Sequence, residues 1–301
     1  MGEGAAFKMN WRTALELGRV SNLPTVWTNV LAGLALAGAV TLPPYIFFAL
    51  MISMSLYYVG GMYLNDAFDA KRDADERPSR PIPSGRVTAR QVNIIGFAML
   101  GAGLATLLAA TLWAGKSGQE LAFGAAAGLA LAGAIVFYDW RHKGRWYSPA
   151  VMGMCRALIY VSVAFVAGIG FSQDILFFSL LLLLYVAGLT VIASREAGSE
   201  STPTWPWILV FSPTIPFLET ALQGVLGIIL LVLFYSICLY ALYQAKRSAG
   251  RNVKKAVMAL IAGIAIFDAL ICNLFHCPVL SVIAVGGFAL TLLLQRRISG
   301  T

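Results

Sequence analysis

The segment Asn65-Asp66-Ala67-Phe68-Asp69-Ala70-Lys71-Arg72-Asp73 sets three aspartates three and four residues apart. On a helix this spacing stacks the carboxylates on one side, where like charges repel by tenths of a kcal/mol per pair, roughly 0.2–0.5. A divalent cation relieves that repulsion. Oxygen-only donors suit magnesium, which takes one or two carboxylates and completes its shell with water and substrate phosphate oxygens. A second acidic pair, Glu196 and Glu200, stands at i and i+4 just after Ser194-Arg195. Two such groups facing each other across a cavity would bridge a diphosphate through magnesium ions. Basic residues are the remaining requirement. Arg77, Arg80 and Arg86 follow the first array, and Arg141, His142, Lys143 and Arg145 form a later cluster. Such groups hold phosphate oxygens and stabilise charge on a departing diphosphate. The competing reading is a solvated loop whose acids pair with Lys71, Arg72 and Arg77.

The elements that position these residues must lie in a membrane. Of 301 residues, 59% are hydrophobic and 12% charged, against about 45–50% apolar and about 25% charged in soluble domains. Apolar runs near 20 residues recur along the whole chain without two-residue alternation, which predicts spanning helices and not a barrel. The runs fall at 22–41, 43–64, 90–113, 120–139, 148–170, 174–193, 205–219, 222–245, 254–272 and 276–295. The expected fold is an all-α polytopic transmembrane bundle forming a single domain over residues 1–301. Residues 205–219 are the doubtful span, being short and carrying Pro206, Pro213 and Pro216.

The net charge of +8 reads as topology, not nucleic-acid binding, because Lys and Arg sit in short loops between apolar runs. With residues 1–20 cytoplasmic, ten crossings return Lys246, Arg247, Arg251, Lys254 and Lys255 to the inside, together with Arg296 and Arg297. Both termini and both motif loops, 65–90 and 194–204, then share the cytoplasmic face. Cys155, Cys238, Cys272 and Cys277 lack CxxC spacing and read as packing residues. No cleaved signal peptide is evident in Met1 to Arg19. Asp268 is the one clear intramembrane acid, with a local pairing or cap near the outer end of its span as its expected role. A single acid gives a transporter little support.

Asn65-Asp66-x-x-Asp69-x-x-x-Asp73, followed by Arg80-Pro81-Ile82-Pro83-Ser84-Gly85, resembles the paired signature of the UbiA superfamily of intramembrane prenyltransferases. Arg19-Val20-Ser21-Asn22-Leu23-Pro24-Thr25 is similar to that family's first span, and Tyr138 leads into Lys143 as in its relatives. The resemblance implies a nine-helix core around a central cavity, with 276–295 as an added C-terminal span. It further implies magnesium held by Asp66, Asp69, Asp73, Glu196 and Glu200. Asn22, Asn65, Arg72, Arg80, Lys143 and Arg195 would contact the diphosphate of a prenyl diphosphate, whose allylic cation a lipophilic or aromatic acceptor attacks. Two features depart from the family pattern: glutamates replace aspartates in the second motif, and Lys143 stands five residues after Tyr138 instead of four. With Ser194-Arg195-Glu196 and Cys155-Arg156 they are similar to an EboC-like branch. The substituted second motif also leaves open a protein that binds an isoprenoid or phosphorylated lipid without turnover. Trp27, Tyr57, Tyr58, Tyr63 and Phe68 lie near the expected mouth, as cation–π shields or as interfacial aromatics.

Overall fold

The computed structural model describes residues 9–141, 145–195, 203–247 and 252–298, with the side chains of Thr214, Ala221 and Arg247 set aside. The described residues are helical and joined by short turns. A short helix α1 (Trp11–Leu17) and a 3₁₀ turn (Val20–Asn22) lead into α2 (Pro24–Leu36). Then follow α3 (Pro44–Glu76), α4 (Ala89–Trp113), α5 (Gly118–Arg141), α6 (Ser148–Ala167) and α7 (Gln173–Ala193). After two short pieces, α8 (Trp205–Phe211) and α9 (Leu218–Leu222), come α10 (Val225–Arg247), α11 (Val253–Leu274) and α12 (Pro278–Gln295). Eight of these are long and apolar enough to cross a membrane. The chain is an integral multi-pass membrane protein, and its outer faces carry lipid-compatible side chains such as Leu129, Ile228 and Val282.

Helix α2 is the centre of the bundle. It packs against α3, α6, α11 and α12, and all but one of its thirteen residues are buried, the polar Thr25, Thr28 and Asn29 included. Pro24 opens it with φ preset for the first turn. Gly38, at φ +59°, closes it: Ala39 N–H reaches Leu34 O and Gly38 N–H reaches Ala35 O, the paired bonds of a Schellman stop. The helix is therefore shorter than the run at 22–41. Glycine permits close approach where helices touch. A Cβ on Gly60 of α3 would lie 2.9 Å from the Gly96 carbonyl oxygen of α4, and one on Gly153 of α6 would lie 2.4 Å from Leu183 O of α7.

Two further expectations change. Residues 65–76 are not loop: α3 continues through them because neither Gly nor Pro interrupts the sequence until Pro78, so the first motif lies on a helix and the connecting turn starts at Arg77. Residues 205–219 are not one helix. The segment splits into α8, a 3₁₀ turn (Ser212–Phe217) containing Pro213 and Pro216, and α9, since each proline lacks the N–H that an α-helix needs. It nonetheless runs antiparallel beside α7. Pro206 and Leu209 press on Gly188 near the C-terminal end of α7, and Phe217 stacks on Phe178 near the N-terminal end at 6.0 Å.

Candidate active site

The C-terminal turns of α3 carry Asn65, Asp66, Asp69 and Asp73 on one buried face. Buried carboxylates require partners, and two arginines from separate elements supply them. Arg80 Nη1 donates to Asp66 Oδ1 at 3.1 Å and to Asp73 Oδ2 at 2.8 Å. Arg19 Nη2 donates to Asp66 Oδ1 at 3.0 Å and to Asn65 Oδ1 at 3.2 Å.

Each arginine is delivered by local backbone structure. Arg80 sits in a compact turn closed by Ser84 N–H to Arg80 O and Arg86 N–H to Pro81 O, with Gly85 at φ +75°. Arg86 fastens this turn to α1 through a two-pronged contact with Glu16 at 2.7 and 3.1 Å and a bond to Ser79 O. That contact holds the Arg86 guanidinium pKa above its ordinary value, through its hydrogen bond to Glu16. Arg19 occupies the left-handed region at φ 42°, ψ 46°, a costly conformation for a residue with a Cβ. It lies where the chain turns from α1 into the 3₁₀ turn, beside Asp66.

Arg19, Asp66 and Arg80 line an open, charged cleft of about 450 Å³ whose walls also include Arg77 and Lys254. Asn65 connects it to a second space: its Nδ2 donates to Asp139 Oδ1 at 3.1 Å, and Asp139 lines a small, mostly apolar cavity of about 80 Å³. Tyr57, Tyr58, Tyr138, Arg156 and the aliphatic Val26 and Ile159 contribute to its wall. A charged cleft opening beside an apolar chamber can hold an amphipathic molecule with its anionic end in the cleft.

The other expected residues divide. Asn22 is buried at the end of the 3₁₀ turn that precedes α2 and accepts from Gln295 Nε2 of α12 at 3.0 Å. Arg72 is not brought to the site. It lies one position round the helix from Asp73, exposed, and its Nε donates to Glu76. Arg195 is half-buried at the C-terminal end of α7. Lys143, Glu196 and Glu200 lie outside the described residues. Of the aromatics, Tyr57 and Tyr58 line the apolar cavity. Trp27 is tied to Ser55, Tyr63 to Ala14 O, and Phe68 is exposed.

Arg19 and Asp139 were not singled out for the site by their residue types. Arg19 reads as one more positive-inside charge, although it opens the stretch similar to the family's first span. Asp139 stands among the basic residues that follow Tyr138, with no acidic neighbour to mark it. Asp268 also departs from expectation. It pairs across helices, not locally, accepting from Thr28 at 2.5 Å and from Asn29 at 2.9 and 3.1 Å of α2, and from Tyr160 of α6. Arg156 Nη1 extends this network through Asn29 Oδ1 at 2.9 Å. Both carboxylate oxygens are satisfied, so the group joins α2, α6 and α11.

Among the described residues no three acidic, histidine or cysteine side chains converge as a ready metal cage. The donor set still fits magnesium, which relies on one or two carboxylates with substrate oxygens and not on an all-protein cage.

The bundle and its buried acid–arginine face define a polytopic membrane protein with a polar site at one end of an apolar chamber. Residues 26–264 match the UbiA prenyltransferase family, and the chain belongs to that family. It is 40% identical over 92 residues to a digeranylgeranylglyceryl phosphate synthase of Ignicoccus hospitalis, covering 31% of this chain and 29% of the relative. It is 36% identical over 104 residues to the synthase of that name from Methanopyrus kandleri, covering 32% and 36%. The matched stretches thus span about a third of these relatives. Among solved structures, a UbiA homologue from Aeropyrum pernix superposes with a TM-score of 0.62 at 14% identity over 84% of this chain and 96% of its own. A structure described for digeranylgeranylglyceryl phosphate synthase superposes with a TM-score of 0.57 at 18% identity over 92% and 98%. Helix α12 begins beyond the stretch matched by the family.

Proposed function

We propose that this protein is a magnesium-dependent intramembrane prenyltransferase, moving an isoprenyl group from a prenyl diphosphate to the hydroxyl of a lipid acceptor. The observation that carries this reading is the buried face of Asn65, Asp66, Asp69 and Asp73, spanned by Arg19 and Arg80 at the charged cleft and tied through Asn65 to Asp139 of the apolar cavity. The names of the relatives matched by sequence favour a glycerol-phosphate lipid as acceptor class.

Asp66, Asp69 and Asp73 would hold magnesium with the diphosphate, and Glu196 and Glu200 form the second acidic set. Bound there, magnesium neutralises diphosphate charge and favours its departure. Arg80 and Arg19 reach Asp66 before substrate arrives, which keeps buried charge balanced and leaves both guanidinium groups at the edge of the cleft. There they meet the phosphate oxygens with planar donors. Asn22, Lys143 and Arg195 add polar contacts from other elements. The allylic end of the isoprenoid lies at the apolar cavity, where the ring of Tyr57 would stabilise positive charge on the allylic carbon. The excess of Lys and Arg in the loops supports a cytoplasmic side for the cleft and both termini.

The test is release of diphosphate from geranylgeranyl diphosphate by the purified protein in detergent. Geranylgeranylglyceryl phosphate, a lipid with a free glycerol hydroxyl, serves as acceptor. Release that needs both magnesium and acceptor, with a new ether lipid in the mass spectrum, supports the reading. Binding of the diphosphate without turnover across a panel of acceptors would favour an isoprenoid-binding protein instead.

A further inference from the structure

Asp139 carries the one unbalanced feature of the apolar cavity. The residue is 5% exposed. Its Oδ1 accepts from Asn65 Nδ2, while Oδ2 is buried with no hydrogen-bond partner among the described residues. An unsatisfied carboxylate oxygen is costly to keep away from water. The other polar groups of the same cavity are engaged: Tyr57 Oη donates to Gly128 O at 3.1 Å, Tyr58 Oη to Arg19 O at 3.2 Å, and Arg156 to Asn29. Asp139 also lies one hydrogen bond from the diphosphate face, because Asn65 touches both Asp139 and the Arg19 that holds Asp66. A donor group that reaches this residue from the cavity it lines would satisfy Oδ2.

We propose that Asp139 is a catalytic residue that binds the acceptor's hydroxyl through Oδ2 and takes its proton. This assignment rests on the prenyl-transfer reading. The alcohol oxygen forms a bond to the allylic carbon, and the bond from that carbon to the diphosphate oxygen breaks. Its electron pair leaves with the diphosphate, and the hydroxyl proton passes to Asp139 Oδ2. Asn65 engages the other oxygen of the carboxylate, so Oδ2 is the oxygen left to receive a donor. The acceptor class this arrangement takes is an alcohol. A tertiary amine or a fully alkylated lipid offers Oδ2 no hydrogen to receive.

The decisive variant is Asp139→Asn, which preserves volume and can still accept from Asn65 through its amide oxygen, but removes the proton acceptor. Ether formation from geranylgeranyl diphosphate and geranylgeranylglyceryl phosphate should fall by about 100-fold or more, the scale of a lost general base. Magnesium-dependent binding of geranylgeranyl diphosphate should stay within about threefold, showing that the bundle and diphosphate site are intact. Asp139→Glu, which retains the carboxylate, should recover part of the lost rate. Ether formation by Asp139→Asn close to that of the unaltered protein would overturn the role. So would a parallel loss of diphosphate binding, which would make Asp139 a support for Asn65 only. If the unaltered protein itself makes no ether product, the prenyl-transfer reading fails, and this role falls with it.

Discussion

Arg80 Nη1 lies 2.8 Å from Asp73 Oδ2. The same nitrogen reaches Asp66 two turns earlier on α3, at 3.1 Å, so one guanidinium spans the first and last acids of the motif. The Arg-Pro-Ile-Pro-Ser-Gly turn thereby folds back onto the Asn-Asp helix, and two sequence motifs become one site.

That geometry makes Arg80→Lys informative. A lysine keeps the charge but puts one ammonium where Nη1 stands, with no second guanidinium nitrogen left for phosphate oxygens. We expect the KM for geranylgeranyl diphosphate to rise by about tenfold, the equivalent of roughly 1.4 kcal/mol. Steady-state kinetics at saturating acceptor would measure it.

The Glu16–Arg86 contact is solvent-exposed, with both side chains more than a third accessible. Exposed pairs contribute roughly 0–1 kcal/mol. Glu16→Gln should therefore leave the melting temperature nearly unchanged, and raising the salt concentration should not unfold the turn. A scanning-fluorimetry trace in detergent would reveal any larger effect.

Asp268 predicts the opposite pattern. Its carboxylate is wholly buried and accepts hydrogen bonds from Thr28, Asn29 and Tyr160. Asp268→Ala would strand those donors at roughly 1–3 kcal/mol for each group left unsatisfied. We expect a clear drop in thermal stability in detergent, while protein that remains folded binds geranylgeranyl diphosphate with little change.

Gly153 tests the packing. A methyl group there meets Leu183 O and Leu183 Cα at 2.4 and 3.0 Å, backbone atoms that cannot move aside without shifting α7. Gly153→Ala should destabilise the bundle by about 1–3 kcal/mol, as overpacking does. The corresponding change at Gly133, which has open space around its Cβ position, should be tolerated.

The membrane bundle was legible because apolar runs of spanning length state their own structure. Eight of the ten expected runs are long helices, and the bounds of α4, α5 and α7 fall within about two residues of expectation. The shared face of Asp66, Asp69 and Asp73 followed from helical spacing alone. Arg72 shows the limit of that reasoning. It adjoins Asp73 in sequence, yet adjacent helix positions point about 100° apart, and it pairs with Glu76 instead. Arg19 and Asp139 reach the site from elements 46 or more residues from Asn65 or Asp66. Their part is fixed by tertiary packing, which periodicity does not encode. The break at Pro213 and Pro216 was signalled by the prolines, but the course of that segment beside α7 depends on Gly188 and Phe178.

The central claim is that the acidic face of α3 drives departure of a prenyl diphosphate's leaving group. The most direct measurement is magnesium-dependent diphosphate release from geranylgeranyl diphosphate, compared between the unaltered protein and Asp66→Asn or Asp69→Asn, each shown to be folded by its melting curve. The account predicts release by the unaltered protein and loss of it, by at least about 100-fold, in either variant. Release that continues unaltered in a folded Asp66→Asn or Asp69→Asn protein would contradict it.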